Sequence, residues 1–277
     1  MTRVLVTGAH GFLGRPLVAR LRALGADVIP AGRADADLLD PQAVPVLLER
    51  TAPHTVVHAA WETGRGSQDD AVHAAWRAAG ERLLVQARAA GVRRLVGIGT
   101  CAEYDWTTPG PYAEDAPLRP HNAYGAAKAA LGETWCAAGD DRLAVAWARP
   151  FFLFGPGEHP DRLLPSVLAA LRAGRRPLRS TGAQVLDFLE VGPAAHAVAA
   201  LVLGDVGGPV NVGSGTGVSV LDVARMLAAE LGSPEPGPGS EESVARTVVA
   251  DVGRLRHEVG VPAPPPLRDA LAALARP

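Results

Sequence analysis

A short apolar run followed at once by three evenly spaced glycines opens this chain. Residues 3–7 (Arg-Val-Leu-Val-Thr) have the β-branched, apolar character of a buried strand. Gly8-Ala-His-Gly11-Phe-Leu-Gly14 comes next, then a helical pattern to about Leu24 that stops at Gly25, then a second strand over 27–31. Strand, glycine turn and helix in that order predict a dinucleotide-binding turn. Gly8 permits the tight turn, Gly11 lets the backbone approach a pyrophosphate, and Gly14 lets helix and strand pack closely. The positive end of the helix then faces the phosphates. His10, Phe12 and Leu13 lie in the same turn and join the glycines as cofactor-binding candidates.

The pattern repeats. A helix is expected at about 41–50, a strand at 55–58, a long helix at about 68–90, a strand at 93–99, a helix at 122–138 and a strand at 142–149. Such alternation predicts an α/β, doubly wound parallel sheet with helices on both faces. Ligands bind beyond the carboxyl ends of its strands, so the Gly8–Gly14 turn and Thr100 should meet in one cleft. The second half is less regular. It reads as a helix at about 161–173, a strand-like stretch at 184–191, a helix at 193–203, a short strand at 209–213 and a helix at 220–231 opened by Ser219. Gly232 to Ser240 is a proline- and glycine-rich loop, followed by a strand at 245–250 and two short helices.

Composition excludes several classes of function. The 277 residues are 48% hydrophobic, enough for a substantial core, and the net charge is −2. The densest basic group, Arg172, Arg175, Arg176 and Arg179, reads as a solvated loop, so no nucleic-acid partner is expected. Cys101 and Cys136 form no CxxC pattern and read as reduced thiols of a cytoplasmic protein. His54 and His58 sit four apart in a strand-like run, so they share no helical face and no metal site is expected. There is no signal-peptide pattern and no apolar run of membrane-spanning length.

One residue stands out chemically. Lys128 is the only lysine among 27 cationic side chains, and it lies four residues after Tyr124 in a helical stretch. Residues i and i+4 share a helix face. An ammonium near a phenol lowers its pKa from about 10 toward neutral, and a phenol tuned that way can exchange a proton with a substrate oxygen. Lysine also donates to ribose hydroxyls from a flexible stem, which arginine's planar fork does not reproduce.

The end of the second strand selects the cofactor. An acidic residue there would bond the ribose 2′-hydroxyl of NAD, but the strand ends Ala31-Gly32-Arg33. Arg33 suits a 2′-phosphate, hence NADPH, with NAD as the alternative. Asp37 and Leu38 are placed over the adenine. Ala59 and Ala60 are small enough for backbone to lie along the cofactor, and Trp61 with the segment to residue 66 is expected to line the pocket.

The combination TGAHGFLG, GTCAEY, YGAAK and RPFFLFGPG resembles the extended short-chain dehydrogenase/reductase family, in its NAD-dependent epimerase/dehydratase group, over nearly the whole chain. The resemblance implies a Rossmann-type core at 1–150. It also implies a smaller C-terminal substrate-binding lobe at 151–277, from which segments near 184–203 and 210–213 return to the core. It implies a catalytic Thr100, Tyr124 and Lys128, a cofactor contact at Pro150, and a homodimer built on helices 68–90 and 122–138. Cys101, Glu103, Phe151, Phe152, Arg162 and Arg246 are the substrate-binding candidates, with Asp105 close by.

Three departures from the family pattern concern substrate. Members that bind nucleotide sugars often carry asparagine at the position of Phe152, Arg-Asp-Phe/Tyr at Leu186-Asp187-Phe188, and aspartate at Pro193. The 4,6-dehydratases carry Asp-Glu directly after the catalytic threonine, where this chain has Cys101-Ala102, so dehydration is rejected. Arg33 points to dissociable NADPH and net reduction. The expected activity is therefore that of a ketoreductase resembling the nucleotide-sugar 4-ketoreductases, acting on a keto-deoxysugar. The alternatives are an epimerase with retained NAD and a carbonyl reductase on a non-nucleotide secondary metabolite. A cofactor-sensing regulator on the same fold is disfavoured, since a sensor needs no proton donor.

Overall fold

The computed structural model describes residues 1–63, 70–242 and 244–276. The expectations for 64–66 as pocket lining and for the first residues of the helix at 68–90 lie outside the described residues. The first half contains β1 (Arg3–Thr7), α1 (Gly14–Ala23), β2 (Asp27–Ala31), α2 (Ala43–Thr51), β3 (Thr55–His58), α3 (Asp70–Ala89), β4 (Arg94–Ile98), α4 (Ala123–Ala137) and β5 (Ala144–Pro150). The second half contains β6 (Phe152–Phe154), α5 (Leu163–Arg172), β7 (Val185–Glu190), α6 (Val191–Leu203), β8 (Gly208–Val212), β9 (Gly217–Ser219), α7 (Val220–Leu231), β10 (Thr247–Val248), α8 (Gly253–His257) and α9 (Leu267–Ala275).

Six strands form one sheet in the order β2-β1-β3-β4-β5-β8, and every neighbouring pair is parallel. The order reverses at β1, between β2 and β3, which opens a crevice at the strand ends there. Alternate side chains sort to opposite faces. Val4, Val6, Val57, Val96, Ala146 and Val210 pack with α1 and α6, whereas Leu5, Val56, Leu95 and Trp147 pack with α2, α3 and α4. Among the described residues no helix is long and apolar enough to cross a membrane.

A second, smaller sheet joins β6, β7 and β10, with β9 antiparallel to β7. Leu186 and Phe188 of β7 share a core with α5, α7 and α9. β7 is thus the centre of the smaller sheet, whereas α6 packs on α1 and β8 extends the large sheet. The sequence reading contained neither β6 nor β9, each three residues long, because so short a run carries no periodicity. Pro193 falls in the first turn of α6, where its missing N–H costs no helical bond, so the helix starts at Val191.

A buried polar network ties the sheet to the loop after β4. Glu103 is fully enclosed. Its carboxylate pairs with Arg149 Nε at 2.7 Å and accepts from the Thr100 amide at 2.9 Å and from Trp147 Nε1 at 3.0 Å. Arg149 also donates to the Tyr104 hydroxyl at 3.0 Å, which donates in turn to Asn211 of β8 at 2.7 Å. Burial raises the Glu103 carboxyl, while Arg149 and Trp147 oppose that rise. Replacing Glu103 with glutamine leaves the Arg149 guanidinium buried without its counter-charge. This should cost about 3–5 kcal/mol of unfolding free energy in denaturant titration, and the double variant E103Q/R149M should recover part of it. An E103Q protein as stable as the parent contradicts an ionic pair at this site.

Candidate active site

The glycine turn closes the carboxyl end of β1 against α1. Gly8 has φ +69°, and a Cβ built on it would stand 2.6 Å from the Ala60 nitrogen. A Cβ on Gly14 would stand 2.1 Å from the Gly8 carbonyl oxygen. No side chain fits at either position, so backbone and helix N-terminus face a cleft of about 250 Å³. His10, Gly11, Arg33, Asp37, Ala60 and Trp61 line it. Phe12 and Leu13 are half-buried, with Leu13 packed against the core under α1. Leu38 is buried at the back of the cleft and Ala59 is partly buried at the end of β3.

No carboxylate ends β2. The Asp35 side chain is engaged by the Gly32 amide at 2.8 Å. Arg33 is exposed, and its partner is Glu62 across the cleft at 3.7 Å, a solvent-facing pair of small energetic worth. A glycine cradle at a helix N-terminus with an exposed, weakly paired arginine beside it fits a nicotinamide dinucleotide. Among the described residues no cluster of metal-ligating side chains occurs.

The proton-handling groups converge from β4 and α4. Thr100 follows β4 in extended conformation and caps a 3-10 turn at Cys101–Glu103, its hydroxyl accepting from the Ala102 amide at 3.2 Å. Asn122 caps α4 by accepting from the Gly125 amide at 2.8 Å, and an alanine-rich sequence carries the helix on. A Cβ on Gly125 would meet the Ala102 carbonyl oxygen at 2.3 Å. Glycine there lets α4 press onto the turn and bring the Tyr124 phenol to the Thr100 hydroxyl. Burial pushes Tyr124 up to about 12, with Thr100 and Arg162 opposing.

Lys128 lies one turn further, 3% exposed. Its Nζ donates to the Ile98 carbonyl at 2.6 Å and stands 3.9 Å from the centroid of the Trp61 ring. Burial lowers the ammonium to about 7, with Glu103 pulling the other way. This corrects the expectation that Lys128 brings the phenol toward neutrality. The ammonium is turned inward to the end of β4, and desolvation of the phenol prevails. His58, at the end of β3, is enclosed with Nδ1 3.0 Å from the Thr7 hydroxyl, and burial together with Lys128 drives it down to about 3.

Several substrate candidates fall elsewhere. Glu103 belongs to the buried network and presents no oxygen to the cleft, because Arg149, Trp147 and the Thr100 amide occupy them. Cys101 is enclosed, with its thiol pushed up by burial, and Phe151 packs on Tyr104 in the lobe core. Both are buried for one reason: the apolar side chains around them form a core. Asp105 is held by the Thr107 hydroxyl and amide. Pro150 is buried at the end of β5, paired with Val212 of β8.

Phe152, Arg162 and Arg246 stay accessible. The Phe152 ring lies 6.1 Å from Trp106, the Arg246 guanidinium 5.8 Å from the same ring, and His121 4.5 Å from it. Trp106 is anchored to the Cys101 carbonyl at 2.9 Å, one residue from Thr100. Arg162 is exposed and acts on both Tyr124 and Glu158. Burial pushes Glu158 up to about 7. Glu62 falls in the segment after Trp61 expected to line the pocket, whereas Glu158 and His73 are not among the residues the sequence singles out. His73, on α3, accepts from Trp61 Nε1 at 3.2 Å and lies 5.5 Å from the Tyr124 ring. No motif marks it; only the register of α3 against α4 puts it there.

The sequence model of the NAD dependent epimerase/dehydratase family matches residues 4–213. A 3-diazoavenalumate denitrifying reductase from a Streptomyces species is 35% identical over 254 residues, covering 84% of this chain and 83% of that protein. The dTDP-6-deoxy-L-talose 4-dehydrogenase (NAD(P)(+)) of Kitasatospora kifunensis is 30% identical, covering 98% of this chain and 94% of its own. Among solved structures, MoeE5 in complex with UDP-glucuronic acid and NAD is 30% identical with a TM-score of 0.84, covering 99% of this chain and 97% of that one. The chain belongs to the NAD-dependent epimerase/dehydratase family and is an NAD(P)-dependent enzyme of the extended short-chain dehydrogenase/reductase type.

Proposed function

We propose that this enzyme is an NADPH-dependent ketoreductase whose substrate is a keto-deoxysugar, in the first instance a nucleotide-linked one. The observation that carries the reading is the placing of Tyr124. Its phenol lies beside the Thr100 hydroxyl and one helical turn before the buried Lys128, and burial raises it, so it holds its proton at neutral pH as a donor to a substrate oxygen must. A bound nicotinamide cofactor supplies the hydride. Thr100 hydrogen-bonds the ketone oxygen, and Tyr124 donates its proton as that oxygen gains charge. Lys128 supplies positive charge behind the phenol and donors for ribose hydroxyls. Arg33 and the Gly8–Gly14 turn hold the dinucleotide, with Arg33 matched to the 2′-phosphate. The dTDP-deoxysugar dehydrogenase relative supports a sugar nucleotide as substrate.

A second reading keeps the chemistry and changes the substrate to a non-nucleotide carbonyl compound. It is favoured by Leu186, which lies in the lobe core where a diphosphate-binding arginine is common in the family, and by Phe152, which packs on Trp106 and Phe188. The diazoavenalumate reductase relative points the same way. A homodimer belongs to either reading, with exposed alanines of α3 and α4 (Ala74, Ala75 and Ala126) allowing close approach of a second copy.

Two experiments test the proposal. Arg33→Ala should weaken NADPH binding about 10- to 100-fold, the worth of a charge-assisted contact of about 1.5–3 kcal/mol, and leave NADH unchanged in a fluorescence-quenching titration. Equal affinity for the two cofactors in the parent overturns the NADPH assignment. Tyr124→Phe should lower kcat for ketone reduction about 10²–10⁴-fold while NADPH binds as before. Retention of full activity removes Tyr124 as the proton donor.

A further inference from the structure

Trp61 stands between the cofactor cleft and the catalytic lysine, and no motif assigns it a role. Its indole is held by two neighbours, His73 and Trp76. Nε1 donates to His73 Nδ1 at 3.2 Å, the His73 ring stacks on it with centroids 6.3 Å apart, and Trp76 stacks at 6.1 Å. Its free π-face receives the Lys128 ammonium at 3.9 Å. Among the described residues one hydrogen bond engages that ammonium, from Nζ to the Ile98 carbonyl. An ammonium has three donors, and this one is almost wholly removed from water. The aromatic quadrupole is thus the principal replacement for lost hydration on that side.

We infer that Trp61, held in place by His73, is a positioning residue that keeps the buried Lys128 ammonium charged and turned toward the end of β4. The inference rests on reading Lys128 as part of the catalytic set, and it says how the fold tolerates a charge there. A cation desolvated over an indole is stabilised by about 2 kcal/mol or more, against about 0.5–1 kcal/mol at an exposed site. That contribution acts in the same direction as the Glu103 carboxylate. Without both, the lysine titrates below the neutral range and is uncharged at neutral pH.

The sequence makes a direct test possible, because Lys128 is the only lysine. Protein labelled with ¹⁵N,¹³C-lysine carries one side-chain resonance, whose titration can be followed without cofactor or substrate. The charged and titratable groups facing it are Glu103 with its partner Arg149, the thiol of Cys101, His58, Tyr124 and, across the indole, His73. His58 at about 3 and Tyr124 at about 12 do not change charge across the neutral range, and the Cys101 thiol is pushed up by burial.

In the parent protein the resonance should titrate near 7. Trp61→Phe keeps a π-face and should move the midpoint by a few tenths of a pH unit (roughly, since phenyl is the weaker partner). Trp61→Leu should lower it by about one pH unit, equivalent to about 1.4 kcal/mol. His73→Leu, which frees the indole without removing it and also removes the neighbouring imidazole, should lower it in the same direction. It serves equally where Trp61→Leu does not fold. A midpoint that stays put or rises in Trp61→Leu and His73→Leu overturns the inference. Because no turnover is measured, that result leaves the ketoreductase proposal standing, and failure of the ketoreductase proposal leaves this titration unaffected.

Discussion

A single carboxylate under the site, that of Glu103, connects most of what the structure does. It fixes Thr100 by accepting from its amide, anchors β5 through Arg149 and Trp147, and supplies the negative charge that supports Lys128. Enclosing an acid this completely is unfavourable unless every oxygen is matched. Two cationic or aromatic donors and a backbone amide do that here. The capping box that Glu103 completes with Thr100 makes the turn after β4 rigid, so the threonine hydroxyl is held at one place. Gly125 then lets α4 settle on that turn, and Tyr124 follows.

The relation between tyrosine and lysine in this arrangement differs from simple pairing along a helix face. Burial dominates both groups, raising the phenol and lowering the ammonium. Each shift favours the neutral form, as desolvation must. The result suits reduction: a phenol that keeps its proton at neutral pH is a donor, and its proton leaves only when negative charge develops on the oxygen it faces. The same burial places a demand on the lysine, whose charge depends on Glu103, the Ile98 carbonyl and the Trp61 ring.

Sequence reasoning reached the parts of this site that are local in the chain. The run from Arg3 to Gly14 carries strand, turn and helix within twelve residues, so the cradle could be read directly. The alternation of apolar segments predicted the parallel sheet because each strand is buried on both faces and each helix shows its period. Lys128 was legible through its rarity. Contacts made across the sheet were not. Glu103 next to Thr100 looked like a substrate contact, because its partner Arg149 is 46 residues away and only the register of β4 against β5 brings them together. The direction of the Lys128 side chain, and the meeting of Trp61 with His73, depend on how α3 and α4 pack, which no spacing encodes. β6 and β9 are made by pairing with β7, not by their own sequence.

The central claim is that the site moves hydride from a reduced cofactor into a substrate carbonyl in net reduction. The most direct measurement incubates the enzyme with NADPH deuterated at nicotinamide C4 and the proposed keto-deoxysugar, and analyses the product by mass spectrometry and NMR. The account predicts one NADP⁺ formed per product and one deuterium on the former carbonyl carbon. Isomerised substrate with no cofactor consumed and no deuterium incorporated contradicts it and makes the enzyme an epimerase.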